Sequence, residues 1–374
     1  MIDGVKVSTS VFDKEKLHQL INFNSSVNTD TGEIKYNKYG TFKKYGSFNG
    51  LDFIIIKNKN DNKHLKIKGS IHKYFNYGRH NYNDFNYNNL QYVLNDLKQK
   101  FNLQLDKCTL SNLEIGVNII PPINSKKVLK GLLLHKTISF KLISMDNADY
   151  YQVDHKKNFF IKAYDKALQY REKGYYINHE ILRIELKYVK MDFIIKRLRK
   201  AGLIINKYLT LDDLLNINVL NNLGDLLIEK WNEILFFDPT INVINPDHKL
   251  ELQLSNWQNN LYWENLDKRK RYKEKNKLSE ITSNYSQNIQ SQISTLIKDK
   301  LDLLIPNWGL IDVSNHKSFD GEIGKVEIKE KGLIDSIYKE AISPQKQIKA
   351  KTEKIKVIIP DYKEWINDPR PLPF

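Results

Sequence analysis

Apolar and polar residues alternate along several short runs, and each alternation predicts a β-strand with one buried face. "GVKVSTSVF" (residues 4–12) and "LDFIIIK" (51–57) are the first two. They flank a stretch rich in Gly, Asn and Lys. "HLKIKGSIHKYFN" (64–76) alternates, Lys73 excepted, with Lys66, Lys68, Ser70, His72, Tyr74 and Asn76 on one side. "LSNLEIGVNII" (110–120) alternates and stops at Pro121-Pro122. In "NFFIKAYDKALQY" (158–170), Phe159, Ile161 and Ala163 oppose Lys162, Tyr164 and Lys166, and the pattern turns helical just after Tyr164. In "LRIELKY" (182–188), Arg183, Glu185 and Lys187 oppose Leu182, Ile184, Leu186 and Tyr188.

Helical spacing takes over elsewhere. Leu90, Val93, Leu94 and Leu97 predict a helix over 88–101. "NSKKVLKGLLL" (124–134) is expected to be helical, and "MDFIIKRLRKAG" (191–202) reads as a helix ended by Gly202. Residues 210–237 supply two more helices, and 251–305 are polar and mostly helical. Strands and helices interleave without regular βαβ spacing. The expected fold is therefore α+β: a mostly antiparallel central sheet with helices on one face, plus a mainly helical C-terminal region. The expected division is a domain over 1–205, a helical accessory region over 206–305 and an irregular tail over 306–374.

Four of the strands share one feature: their polar faces carry Glu114, Glu185, His72, Tyr164, side-chain amides and many lysines. A merely solvated face would mix Thr, Ser, Lys and Glu. Glu114, Glu185 and His72 are ligand types that suit Mg²⁺ or Mn²⁺. If the four strands are neighbours, the face is a site for a divalent ion and a phosphate backbone. Tyr164 is then a candidate nucleophile, since a phenol oxygen can attack a phosphodiester and form a covalent phosphotyrosine. The flanking Lys162 and Lys166 are expected to favour the phenolate.

Charge sharpens the choice of partner. The chain has 374 residues and a formal net charge of +15, which favours polyanions, with nucleic acid first and an anionic membrane surface second. The single cysteine, Cys108, leaves no disulfide framework and no Cys-based zinc site. A cytoplasmic protein is expected, with no signal peptide and no apolar run long enough to cross a bilayer. "KRKRYKEKNK" (268–277) places Lys268, Arg269, Lys270 and Arg271 in a row for phosphate contact.

These segments, taken in order, resemble the phage and plasmid rolling-circle replication initiators typified by the filamentous-phage gene II proteins, relatives of the His-hydrophobe-His endonucleases. "IKGSIHKYFNYGRHN" is similar to the family's strand, lysine and Gly-His-Asn turn. On that match Ser70, Lys73, Gly78, His80 and Asn81 carry over, although Arg79 separates the glycine from the histidine. "LSNLEIGVNI" resembles the strand whose acidic residue, here Glu114, sits near the metal. "IKAYDKALQ" resembles the tyrosine motif, making Tyr164 the nucleophile and Lys166 its partner, and "LRIELKY" resembles the Arg-x-Glu strand of Arg183 and Glu185. The resemblance spans residues 66–215. The paired His-hydrophobe-His itself is absent, so His80 competes with His72 as a metal ligand or contacts DNA. Tyr170, Tyr175 and Tyr176 remain possible second tyrosines.

The resemblance implies an initiator that nicks single-stranded or supercoiled origin DNA, forms a 5′-phosphotyrosine and starts rolling-circle replication. Lys73, His80, Asn81, Lys162 and Arg183 would contact DNA, and a host helicase and polymerase would follow. A mobilisation relaxase with the same chemistry, or a non-catalytic DNA-binding regulator, are the alternatives.

Overall fold

The strands that alternate in sequence lie side by side in space. The computed structural model describes residues 1–25, 41–57, 63–145, 148–156 and 158–306. The N-terminal part contains β1 (Ile2–Thr9), α1 (Lys14–Leu20), β2 (Asn24–Ser25), β3 (Phe42–Phe48), β4 (Leu51–Lys57) and β5 (Lys63–Ser70). Then come α2 (Ile71–Phe75), α3 (Tyr87–Phe101), β6 (Thr109–Ile119), α4 (Ser125–Lys130), β7 (Leu132–His135) and β8 (Ile138–Ser139). The middle continues with β9 (Lys141–Met145), β10 (Ala148–His155), β11 (Phe159–Asp165), α5 (Lys166–Arg171), β12 (Leu182–Tyr188) and α6 (Asp192–Lys200). The last described elements are α7 (Ile217–Asn232), β13 (Ile234–Phe236), α8 (His248–Trp257), α9 (Asn260–Asn265), α10 (Lys268–Tyr285) and α11 (Ile289–Leu304).

Ten of these strands form one antiparallel sheet in the order β2-β3-β4-β5-β1-β6-β12-β11-β10-β9. β13, β7 and β8 form a smaller one. The fold is α+β, as the patterning predicts. Leu113, Ile115 and Val117 of β6 and Leu182, Ile184 and Leu186 of β12 are buried in one apolar core. Leu90, Val93, Leu94 and Leu97 of α3, Leu223 and Leu227 of α7, and Ile293 and Ile297 of α11 belong to the same core. Burying a side chain of this kind contributes about 1.5–3 kcal/mol, so the helices hold one face of the sheet and leave the polar face open.

Several expectations need correction. The alternation over 64–76 is not all strand. The Ser70 side chain accepts from the Lys73 backbone N–H and caps α2, so the strand ends there. His72, Tyr74 and Asn76 thereby leave the polar face. "NSKKVLKGLLL" is helical only to Lys130; Leu132–His135 form β7, and Ile234–Phe236 pair with it as β13. The short apolar runs could serve either state, and cross-strand pairing decided.

The expected boundary at 205 falls within continuous packing, because α7 and α11 share the core of β6 and β12. The described residues, through 306, cluster as one compact unit. A second, smaller core unites Trp257, Trp263 and Leu278 of α8–α10 with Leu133 and Leu134 of β7. The tail expected from 306 lies, beyond its first residue, outside the described residues. Among the described residues, no helix is long and apolar enough to cross a membrane.

Candidate active site

Three adjacent strands place the central groups. β12 pairs with β11 on one side and β6 on the other, with Tyr164 opposite Arg183, Lys162 opposite Glu185, and Lys187 opposite Glu114. All six side chains belong to the open face. All of them but Arg183 border a pocket of about 450 Å³, which Asp3, Lys166 and Tyr170 also line.

Tyr164 is buried, and its hydroxyl donates to Glu185 Oε1 at 3.0 Å. Lys166 begins α5, yet its Nζ reaches back to donate to the same hydroxyl at 3.2 Å. Burial, and then the field of Glu185, push the Tyr164 phenol well above its ordinary value. This overturns the expectation that the neighbouring lysines favour the phenolate: in this arrangement desolvation wins, and the tyrosine is kept protonated. Lys166 moves the other way. Burial and the Arg183 charge lower it to about 7, so a large fraction is neutral amine at neutral pH. Its ammonium also lies over the rings of Tyr164 and Tyr170, 5.2 and 5.1 Å from their centroids.

Arg183 is turned inward. It is 2% exposed and donates to Asp3 Oδ2 at 2.8 Å, Glu185 Oε1 at 2.9 Å and Asn118 Oδ1 at 3.1 Å. These partners occupy its guanidinium, so its part is to hold two carboxylates in place, a correction to the expected DNA contact. Burial opposes charge on Glu185 and Asp3, but Arg183 outweighs it and holds both below the ordinary carboxylate range.

Asp3 is a site residue that alternation hides. β1 lies between β5 and β6. A register shift between Ile2 and Val5 turns Asp3 out of the apolar parity and onto the open face. There it also accepts from Ser70 Oγ and from Asn81 Nδ2, the latter at 2.7 Å. Asn81 is 5% exposed and accepts from the Tyr170 hydroxyl at 2.8 Å. Asn81 thus lines the pocket and ties Asp3 to Tyr170. Tyr170 is buried, and burial raises its phenol to about 12.

Two glycines make room for the acids. A Cβ on Gly4 would lie 2.3 Å from Glu114 Oε2, and one on Gly116 would lie 2.9 Å from Glu185 Cγ. Glu114 pairs with Lys187 at 2.5 Å. Burial and then the Glu185 charge raise its carboxyl above the ordinary value, despite that lysine. The two acids are thus a like-charge pair on neighbouring strands.

The other expected residues fall in three places. Lys73 and Lys162 line the pocket. His72 is 2% exposed inside α2, with Nε2 2.8 Å from Asn83 Oδ1 and its ring stacked on Phe85. It lines no part of the pocket, and burial lowers it to about 3; it is a core histidine and not a partner of the two glutamates. His80 stacks on Tyr82 with centroids 4.3 Å apart and meets Tyr170 and Tyr175 edge-on, also outside the pocket lining. In α10, Lys268, Arg269 and Lys270 are exposed. Arg271 instead donates to the carbonyls of Trp263, at 3.0 Å, and Leu266, at 2.7 Å. It fastens α10 to α9 and is not free for phosphate.

Among the described residues, no group of three or more His, Cys, Asp or Glu is arranged to hold a metal ion. Glu114 and Glu185 nevertheless fit a hard divalent cation of the Mg²⁺ or Mn²⁺ type, which commonly takes one or two protein carboxylates and completes its shell with water and substrate phosphate. Burial, and after it the Glu185 charge, oppose ionisation of Glu114, and such a cation would favour its ionised form. Asp165, next to the tyrosine, caps α5 through the Leu168 N–H at 2.8 Å and stays out of the site. No protein-family model matches this chain, and no curated protein matches it.

Proposed function

We propose that the protein nicks one strand of DNA with Tyr164 as nucleophile, in the manner of a rolling-circle replication initiator, and holds the cut strand as a 5′-phosphotyrosine. The observation that carries this reading is the shared contact at Tyr164 Oη, with Glu185 3.0 Å away and Lys166 3.2 Å away, in a lysine-rimmed pocket.

The residues divide the work as follows. Glu185, fixed by Arg183, accepts the hydroxyl hydrogen bond and aims Oη. As Oη attacks phosphorus, the hydroxyl hydrogen swings from Glu185 to the neutral fraction of Lys166, whose Nζ lies 3.2 Å from Oη and takes the proton. The Oη–P bond forms, the bond from phosphorus to the 3′ oxygen breaks, and that oxygen gains a proton from solvent. The free 3′ hydroxyl can then prime a polymerase, and the phosphotyrosine conserves the bond energy for resealing. Lys73, Lys162 and Lys187 supply positive charge where the phosphate backbone enters. A divalent ion held by Glu114 and Glu185 would neutralise charge on the phosphate oxygens.

The test is a denaturing gel with labelled single-stranded oligonucleotides drawn from the DNA that encodes or flanks the protein, run with and without Mg²⁺ or Mn²⁺. A covalent protein–DNA band is expected for the wild type and none for Tyr164→Phe. A band that survives Tyr164→Phe would remove the assignment. A wild type that binds DNA but never forms the band would be a binding regulator instead.

A further inference from the structure

The open face of the sheet does not end at the pocket. Lys6 and Lys68 line the pocket and are cross-strand partners on β1 and β5. From them the same face continues outward over β4 and β3. Ser8 pairs with Lys66, Lys66 with Ile54, and Ile54 with Tyr45; one step along, Ile56 pairs with Lys43. Each of these side chains points away from the helix-covered core, where Leu65, Ile67, Phe53 and Ile55 are buried. Tyr45 is 44% exposed, Lys6, Lys43 and Lys68 are exposed, and Ile54, Ile56 and Lys66 are half-buried.

Charge on this wing is one-sided. Asp52 is the acid on its inner row, and it sits 3.4 Å from Lys68 in an ion pair with both partners about half exposed, which is weak. Lys6, Lys43 and Lys66 make no salt bridge among the described residues. An open tyrosine and two aliphatic side chains set among unpaired lysines match a single strand of nucleic acid: phosphates take the cations and unpaired bases lie on Tyr45 and Ile54. A duplex would present no free base faces to them. Four strand spacings separate β6 from β3, roughly 19 Å of track.

We infer that the β1-β5-β4-β3 face is a binding platform for single-stranded DNA, continuous with the pocket, that holds one flank of the strand presented to Tyr164. Its place beside the reacting phosphate rests on the nicking reading, but its affinity for single strands does not.

The experiment uses the full chain in a Tyr164→Phe background, so that no covalent capture contributes. Fluorescence anisotropy with labelled oligo-dT 20-mer would compare it with Lys43→Glu/Lys66→Glu and with Tyr45→Ala, each checked for an unchanged melting temperature. The lysine pair is expected to lose at least tenfold in affinity and to flatten log K against log salt by roughly one to two units. Tyr45→Ala should lose about fivefold or more, with Tyr45→Phe restoring it. Unchanged affinity in the lysine variant, or an equal loss for a 20-base-pair duplex, would overturn the platform. A wild type without the covalent band but with this loss would remove only the nicking reading; a band with no loss would remove only the platform.

Discussion

The Tyr164 hydroxyl donates to Glu185 across neighbouring strands, at 3.0 Å, although the residue directly opposite Tyr164 in register is Arg183. The contact is therefore diagonal, and Arg183, bonded to the same Oε1 at 2.9 Å, makes it possible by drawing the carboxylate between them. One carboxylate oxygen serves both a buried cation and the candidate nucleophile.

Tyr164→Phe should abolish the covalent protein–DNA band while oligonucleotide affinity stays within about threefold. The ring is retained and two hydrogen bonds are lost, to Glu185 and from Lys166, so stability should change by about 1–3 kcal/mol. Urea unfolding alongside the gel assay checks both parts.

Lys166 should show the signature of a group kept at a cost. Its folded value, about 7, lies below the ordinary 10.5. The unfolded chain therefore binds more protons between these limits, and the contribution of this group to stability rises with pH across that window. Below about pH 7 the cost is present in full, up to roughly 5 kcal/mol. Lys166→Met should raise stability at pH 7 by about 2 kcal/mol and lower the rate of band formation at least a hundredfold. In the wild type that rate should climb as pH rises through about 7 as the amine becomes neutral. A flat profile from pH 6 to 8 would remove Lys166 as the base.

Gly4→Ala tests the acid pair without touching the tyrosine. The new Cβ would meet Glu114 Oε2 at 2.3 Å and displace the carboxylate. The Mg²⁺ concentration for half-maximal band formation should rise about tenfold, and Glu114→Gln should do the same. His72→Gln should leave it unchanged, since His72 is tied to Asn83 and lines no part of the pocket. Metal titrations of the four proteins decide.

Arg183→Leu should destabilise the fold by about 3–5 kcal/mol, because it leaves Asp3 and Glu185 buried without their cation. The loss should shrink at low pH, where protonation removes the unpaired charges. Thermal melts at pH 4 and pH 7 would show the difference.

The sequence by itself determined the α+β class, the strands carrying Glu114, Tyr164 and Glu185, and the fact that all three leave the apolar face. A period of two is local, and one buried side of a strand fixes the direction of the other. Tertiary structure decided the rest. Strand order is not encoded in alternation, so β1 could enter between β5 and β6 unannounced and bring Asp3 with it. A register shift broke the parity that would have assigned Asp3 to the core. Ser70 satisfied a helix N-terminus and carried His72 off the face on which its spacing had placed it. Protonation followed from packing as well: two lysines beside a tyrosine promise a phenolate in water, but burial against Glu185 reverses the sign. Whether a cationic side chain stays open or is spent on protein partners depended on what else was buried with it, and Arg183 and Arg271 are both spent on partners.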